Sequence, residues 1–250
     1  MGTIIAVNGK GGTGKSTVAG LIVDYIASKK LGSILAVDAD PNSTLSDVLG
    51  IKIDATMVGV VDETSKEKDN LPAGMTKDRF IEMKVQESIG EGEDFDLLAM
   101  GRPEGPGCYC YINSVLRNVL NDVIHGYDFL VIDNAAGMEH ISRRTERIID
   151  KMVLVSDYTV IGVRSCIRIY ALAKEMGIKV GKFFLIVNKL SGPLDPLKNE
   201  ITSSTIPLAG TIDYDEELLR LSLANRPVSE LKSDRIRSSV ENIVKNILEG

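Results

Sequence analysis

A glycine-rich segment near the start of the chain carries the clearest chemical signal. The segment Gly9-Lys10-Gly11-Gly12-Thr13-Gly14-Lys15-Ser16 lies between an apolar run predicted as a strand and an amphipathic stretch predicted as a helix. Glycines let the backbone curl so that successive N–H groups face inward, and a helix N-terminus adds a favourable dipole. The segment is therefore predicted to bind phosphates, with Lys15 contacting the β- and γ-phosphates and the Ser16 hydroxyl ligating Mg²⁺.

Carboxylates follow two of the apolar runs that are predicted to be strands. Asp38 and Asp40 come after the second run, and Asp133 comes directly after the run Phe129–Ile132. The carboxyl ends of parallel strands meet at one crevice, so these three side chains are expected near the phosphate-binding loop. An aspartate after a strand can also cap a helix, and the residue types alone leave both roles open.

Two cysteines form a second candidate site. Cys108 and Cys110 stand in a Gly/Pro-rich loop before a predicted helix, where thiolates are favoured. One pair supplies two ligands, whereas a closed soft-metal site needs about four, which two copies around a two-fold axis would provide. Two incidental core cysteines are the alternative. Cys166 lies among apolar residues and is predicted to be buried, and His140 is interpreted as a switch residue or a ligand.

The elements that must position these residues alternate along the chain. Most of the apolar runs are continuous, as in strands that are covered on both faces, and amphipathic segments lie between them. The runs are Ile4–Val7, Ile34–Val37, Leu97–Met100, Phe129–Ile132, Val153–Val155 and Phe183–Val187. This order predicts a single α/β domain over residues 1–250, with a mostly parallel twisted sheet and helices on both faces.

Three segments depart from this alternation. Ile81, Met83 and Val85 alternate with polar residues, which predicts a half-exposed and antiparallel edge strand. Residues 62–78 are polar and are predicted to be a surface excursion. Residues 234–248 are predicted to form a surface helix whose apolar positions pack on the domain rather than on a membrane.

Charge and composition exclude some classes of partner. A net charge of −6 argues against a nucleic-acid surface, and no stretch approaches the roughly 18 apolar residues of a membrane span. The first residues lack the basic start and cleavage site of a signal peptide. We therefore expect a cytoplasmic protein with neither nucleic acid nor membrane as a partner.

Lys10 gives the phosphate-binding loop a second lysine, and the segment KGGTGKST then resembles the deviant Walker A motif of the MinD/ParA/nitrogenase-iron-protein superfamily of P-loop NTPases. The resemblance implies a Mg·ATP-dependent ATPase that works as a homodimer. It implies that Lys10 crosses the dimer interface to the partner's nucleotide and that Asp40 orients the attacking water. It also implies that Asp38 and Asp133 hold the water shell of the Mg²⁺ ion. Lys10, Lys15 and Asp40 form the expected catalytic set.

The segment Asn188-Lys189-Leu190-Ser191 begins like the guanine-reading NKxD motif, but Ser191 lacks the carboxylate that accepts from guanine. Adenine is therefore favoured. By resemblance, Asn188 contacts the adenine. Pro207 and Asp213 lie in a predicted loop, Ile206 to Asp215, that occupies the position of the family's base-flanking loop. The nucleotide-binding residues expected are Gly9, Lys10, Gly11, Gly12, Thr13, Gly14, Lys15, Ser16, Thr17, Asn188, Pro207 and Asp213.

Together with the P-loop, the segments DADPN, GRPEGPGCYCYIN and DNAAGMEHISRR resemble the CooC-type ATPases. That resemblance implies nickel insertion into carbon monoxide dehydrogenase or acetyl-CoA synthase. The Ni²⁺ ion, or a competing Zn²⁺ ion, would be shared by Cys108 and Cys110 of two subunits. Two alternatives stay open, namely a MinD/ParA-type positioning ATPase and an iron–sulfur carrier ATPase. The first would need a membrane-seeking tail or a basic patch, and the second would need cysteines far apart or a C-terminal CxxC.

Overall fold

The computed structural model describes residues 2–41, 44–66, 72, 74–102, 118–119, 124–135 and 149–250. Within these ranges an eight-stranded sheet has the order β3-β4-β2-β5-β1-β6-β7-β8. The strands are β1 Thr3–Gly9, β2 Ile34–Ala39, β3 Gly90–Glu91, β4 Asp96–Ala99, β5 Phe129–Asn134, β6 Ile149–Ser156, β7 Val180–Leu190 and β8 Leu208–Asp213. Neighbouring strands run parallel except β3, which is antiparallel to β4.

Helices cover both faces of this sheet, as predicted. In the described part of the chain they are α1 Lys15–Ser28, α2 Leu45–Leu49, α3 Met57–Lys66, α4 Lys77–Glu87, α5 Val160–Glu175, α6 Asp195–Ser203, α7 Glu216–Leu223 and α8 Asp234–Glu249. Side chains of α1, α2, α7 and α8 share one hydrophobic core with the sheet, and side chains of α3, α4, α5 and α6 share the other. Successive β1 residues alternate between the cores, because strand side chains alternate between the faces of a sheet.

The apolar runs identified in the sequence all fall within strands, apart from Met100, which lies one residue beyond β4. Strand β8 is not among them, because the sequence predicts a loop from Ile206 to Asp215. Its residues Leu208, Ala209 and Gly210 include two with weak strand propensity, so local sequence says little about it. Pairing with β7 makes this segment a strand.

The edge strand predicted around Ile81 and Val85 is wrong, because these residues lie in helix α4. Both side chains are fully buried, and a spacing of four residues places them on the same face of a helix. The side chain of Thr76 caps this helix by accepting from the Arg79 N–H at 3.3 Å. The antiparallel edge does exist, but it is β3. Helix α3 also occupies the first residues of the predicted surface excursion.

Helix α8 confirms the prediction for the C-terminal segment. Its apolar face is buried, consisting of Ile236, Val240, Ile243, Val244 and Ile247. The helix packs against β8 and α1, and its Asn246 amide donates to the Ala209 carbonyl of β8 at 2.8 Å. In the part of the chain that the structure describes, no helix has both the length and the apolar character needed to cross a bilayer.

Candidate nucleotide site

The glycine-rich loop joins β1 to α1 at the carboxyl edge of the sheet. Gly14 has φ 88° and precedes the helix without any side-chain cap, so the first N–H groups of α1 are left for another acceptor. A side chain at Gly9 would bring its Cβ within 2.3 Å of the Val155 carbonyl oxygen. The backbone therefore requires glycine at both positions, and the uncapped helix start is suited to a phosphate group.

The loop is folded onto itself around Thr13. The Thr13 hydroxyl donates to the Lys10 carbonyl at 2.9 Å, and the Thr13 N–H donates to the same oxygen at 3.4 Å. Thr13 and Lys15 are buried, whereas Lys10 is exposed. The Lys10 ammonium makes no hydrogen bond or ion pair with any described residue. Lys10 is thus available to a ligand outside its own chain.

Asp38 lies at the end of β2, beside Asp133 of β5 in the sheet register. Its carboxylate accepts from the Asp40 N–H at 3.1 Å and from the Leu45 N–H at 2.8 Å. Burial raises its pKa to about 7, and the charge of Asp133 adds to that rise. Asp38 therefore holds the segment that carries Asp40. Asp40 itself is half-buried. Its predicted contact with the Mg²⁺ water shell stays a prediction.

Asp133 is the most unusual polar group of the site. It is 0% exposed, and neither carboxylate oxygen has a hydrogen-bond partner among the described residues. Burial raises its pKa to about 6, although the nearby Ser16 hydroxyl and the Lys15 charge lower it. The Ser16 hydroxyl lies close to the Asp133 carboxylate but does not form a hydrogen bond of normal distance and angle with it. A buried carboxylate costs free energy unless it is paired, so this donor set fits a hard divalent cation such as Mg²⁺.

Thr44 is a residue of the site that the sequence did not indicate. Its hydroxyl lies 2.9 Å from the Ser16 hydroxyl, which joins the start of α2 to the start of α1. Thr44 precedes Leu45, whose N–H is held by Asp38. A single segment between β2 and α2 thus contacts two of the predicted Mg²⁺ ligands.

Asn188 lies on the far side of the loop, at the end of β7. Its side-chain N–H donates to the Thr13 carbonyl at 2.9 Å, and its side-chain oxygen accepts from the Lys189 N–H at 2.9 Å. The Lys189 ammonium donates to the Gly12 carbonyl at 2.9 Å. The structure therefore brings Asn188 to the phosphate-binding loop, while its contact with the base stays a prediction.

The predicted base-flanking segment lies along β8. Asp213 ends this strand and forms an ion pair with Arg235 of α8 at 3.2 Å. Arg235 also contacts Asp215 at 3.3 Å, and the Asp215 carboxylate caps helix α7. Pro207 precedes β8, and its carbonyl accepts from the Leu185 N–H at 2.8 Å. Arg235 is another residue that the sequence did not single out.

The predicted cysteine site lies outside the described residues, since neither Cys108 nor Cys110 is among them. The same holds for His140 and for most of the helix predicted after Tyr111. Cys166 is fully buried, and burial raises the pKa of its thiol to about 12, which confirms that it is an inert core residue. Within the described ranges, no group of three or more His, Cys, Asp or Glu residues is placed to hold a metal ion.

The family model of the CobQ/CobB/MinD/ParA nucleotide binding domain matches residues 4–228. The chain belongs to this family. It is therefore a P-loop ATPase of the MinD/ParA family. The resemblance drawn from Lys10 and its neighbours is confirmed at this level.

Individual relatives agree with the family. An uncharacterized ATP-binding protein of Methanocaldococcus jannaschii is 38% identical over 249 residues, which is 98% of each chain. The carbon monoxide dehydrogenase accessory protein CooC of Rhodospirillum rubrum is 26% identical over 225 residues, covering 86% of this chain and 84% of CooC. The cell division ATPase MinD of Pyrococcus furiosus has a similar fold, with a TM-score of 0.72, 19% identity, and coverage of 100% and 99% of the two chains.

Proposed function

We propose that this chain hydrolyses Mg·ATP as a cytoplasmic homodimer and uses the cycle to deliver nickel to an enzyme. The observation that carries the ATPase part is the buried carboxylate of Asp133 beside Ser16 and Lys15, which has no hydrogen-bond partner among the described residues. The nickel part is supported by the cysteine pair in the sequence and by the similarity to CooC.

In this proposal each residue has one role in hydrolysis. The N–H groups at the start of α1 and the Lys15 ammonium bind the β- and γ-phosphates. Ser16 would ligate Mg²⁺, and Asp38 and Asp133 would hold its water shell. The ion would supply positive charge against the phosphate oxygens. Asp40 orients the water that attacks the γ-phosphorus as the bond to the β-phosphate oxygen breaks. Lys10 of the second copy stabilises the charge that develops on the transferred group.

The cargo site is proposed to be shared between two chains. Cys108 and Cys110 of each copy give four thiolates around one ion. Tetrahedral thiolate ligation favours Zn²⁺ and a flattened geometry suits Ni²⁺, so zinc is expected to compete in vitro. The proposed client is carbon monoxide dehydrogenase or acetyl-CoA synthase.

A positioning ATPase of the MinD/ParA type is the second candidate, because the fold matches MinD closely. That function requires a surface that seeks a membrane or DNA. Helix α8 does not offer an apolar face for this purpose, since the face is buried on β8 and α1. The iron–sulfur alternative would need further cysteine ligands, and Cys166 is buried in the core.

Metal titration with Ni²⁺ or Zn²⁺ tests the cargo site. We expect one ion for every two chains in the wild-type protein. The ion should be lost when Cys108 and Cys110 are both replaced by Ala, whereas Cys166→Ala, a matched control, should keep it. One ion per chain that survives Cys108→Ala would rule out the shared site. Binding of the ATP-loaded protein to liposomes or DNA would support the positioning function instead.

Coupling between the two sites tests the delivery mechanism. If metal and ATP both bind across one interface, each should raise the affinity for the other, typically by about 1–3 kcal/mol. The Asp40→Ala variant, which should bind ATP without hydrolysing it, allows metal affinity to be measured without nucleotide, with ADP and with ATP. Equal metal affinity in all three states would mean that the ATPase cycle does not control the cysteine site.

A further inference from the structure

Two consecutive residues at the end of β7 hold two consecutive carbonyls of the phosphate-binding loop. Asn188 donates to the Thr13 carbonyl and Lys189 donates to the Gly12 carbonyl, each at 2.9 Å. The contact is close, because a Cβ atom added to Gly14 would lie 2.4 Å from the Asn188 amide nitrogen and 3.7 Å from Lys189 Cε. The end of β7 therefore forms a wall of the loop.

The backbone at Lys189 is unusual. Its φ is 57°, in the left-handed region, and the pairing of β7 with β8 shifts register between Val187 and Leu190. Glycine or asparagine adopts this conformation with less strain than lysine does. A strained position is a reason to look for a function of the side chain, and here the side chain reaches the Gly12 carbonyl.

Peptide planarity connects these contacts to the phosphates. In a trans peptide the carbonyl and the following N–H point in opposite directions, so holding one fixes the other. The Asn188 contact with the Thr13 carbonyl thus directs the Gly14 N–H away from β7. The Lys189 contact with the Gly12 carbonyl directs the Thr13 N–H toward the Lys10 carbonyl, 3.4 Å away.

We propose that Lys189 is a positioning residue for the nucleotide. Its ammonium holds the Gly12 peptide and so fixes the turn that the Thr13 N–H closes on the Lys10 carbonyl, and the N–H groups that follow this turn then face the phosphates. The loop holds the β-phosphate before, during and after hydrolysis. Losing the contact should therefore weaken binding of ATP and ADP alike and leave kcat unchanged. The inference rests on nucleotide binding by this family and is independent of the nickel site.

The first test replaces Lys189 by Met, which keeps the length of the side chain and removes the charge. We expect the Kd for ATP and for ADP to rise roughly threefold to tenfold, the size of one ordinary hydrogen bond, because the contact is exposed and acts on the nucleotide only through the loop. Lys30→Met is the matched control, since Lys30 is also exposed with a φ of 51° but lies at the end of α1. Wild-type Kd values in Lys189→Met, or a lower kcat with unchanged Kd, would overturn the proposal.

The second test separates the side chain from the backbone. Lys189→Gly relieves the left-handed strain and should melt at a higher temperature than Lys189→Ala, by about 2 °C. Both variants lack the ammonium, so both should bind ATP and ADP as weakly as Lys189→Met does. Wild-type affinity in Lys189→Gly would show that the backbone alone sets the loop, and the proposed role of the ammonium would be abandoned. Neither test involves added nickel or zinc, so the outcome is independent of the cysteine site.

Discussion

The phosphate half and the base half that are predicted for the nucleotide site are built in different ways. The phosphate half uses backbone N–H groups and the buried carboxylates of Asp38 and Asp133, which are both 0% exposed. The base half uses partly exposed ion pairs, in which Arg235 links Asp213 to Asp215. A change in the first half alters a buried charge that water cannot reach, whereas water can replace a lost contact in the second.

Lys10 is an exception to this contrast, because its side chain is exposed in the single chain and yet its replacement is expected to have the largest effect on turnover. If it contacts the partner's nucleotide, Lys10→Ala should bind ATP normally and lose turnover by a factor on the order of 10³ or more. Single-turnover hydrolysis and ATP binding measure the two properties separately, with Lys30→Ala as the exposed control. Wild-type turnover in Lys10→Ala would mean that no catalytic cation comes from the second chain.

Asp133 provides the next largest effect, on stability. Its pKa is raised in the folded state, so the folded protein binds the proton more tightly and loses stability as pH rises from about 4 through 6. Without Mg²⁺ and nucleotide, Asp133→Asn should therefore be more stable than the wild type at pH 8, by about 1–2 kcal/mol. Urea unfolding in EDTA at pH 5 and pH 8 measures this difference, which should shrink at pH 5.

Asp128→Asn is the control of opposite sign. The Asp128 carboxylate accepts from the Ser33 N–H at 2.8 Å and from its hydroxyl at 3.0 Å, which lowers its pKa. Its contribution is present at pH 8 and is lost in acid, so this variant should be less stable at pH 8. Excess Mg²⁺ should remove the advantage of Asp133→Asn. If Asp133→Asn were the less stable protein at pH 8 in EDTA, the buried Asp133 carboxylate would not be destabilising in the absence of a cation.

Arg235 gives the smallest expected effect and sharpens the contrast. Arg235→Gln removes the ion pairs with Asp213 and Asp215, which are partly exposed. Such pairs contribute about 0.2–1 kcal/mol, so the Kd for ATP should rise less than about fivefold and kcat should not change. At high salt, the difference in the Kd for ATP between the wild type and Arg235→Gln should become smaller still. A loss of ATP affinity of more than tenfold would show that the base half is as tightly constrained as the phosphate half.

The sequence reveals the phosphate half because its motif describes a backbone shape. Gly14 and Lys15 are needed at fixed spacing, and the neighbouring strands appear as continuous apolar runs. The contacts that support the loop from outside depend on residues that are remote in sequence. Lys189 and Gly12 are 177 positions apart, and nothing local to either residue indicates their contact. The sequence predicts a strand where helix α4 lies because Ile81 and Val85 fit both periods, whereas the Thr76 cap is the local signal that favours a helix.

The two borders of the sheet have a consequence for how copies of the protein can associate. An unpaired strand border invites another chain to add its own strand and so to form aggregates. Here β3 is two residues long and antiparallel, and at the opposite border Asn246 of α8 already donates to the Ala209 carbonyl of β8. Sheet extension between molecules is thereby discouraged at both ends. Such protection would suit the proposed homodimer, in which two copies must meet repeatedly without forming a fibre.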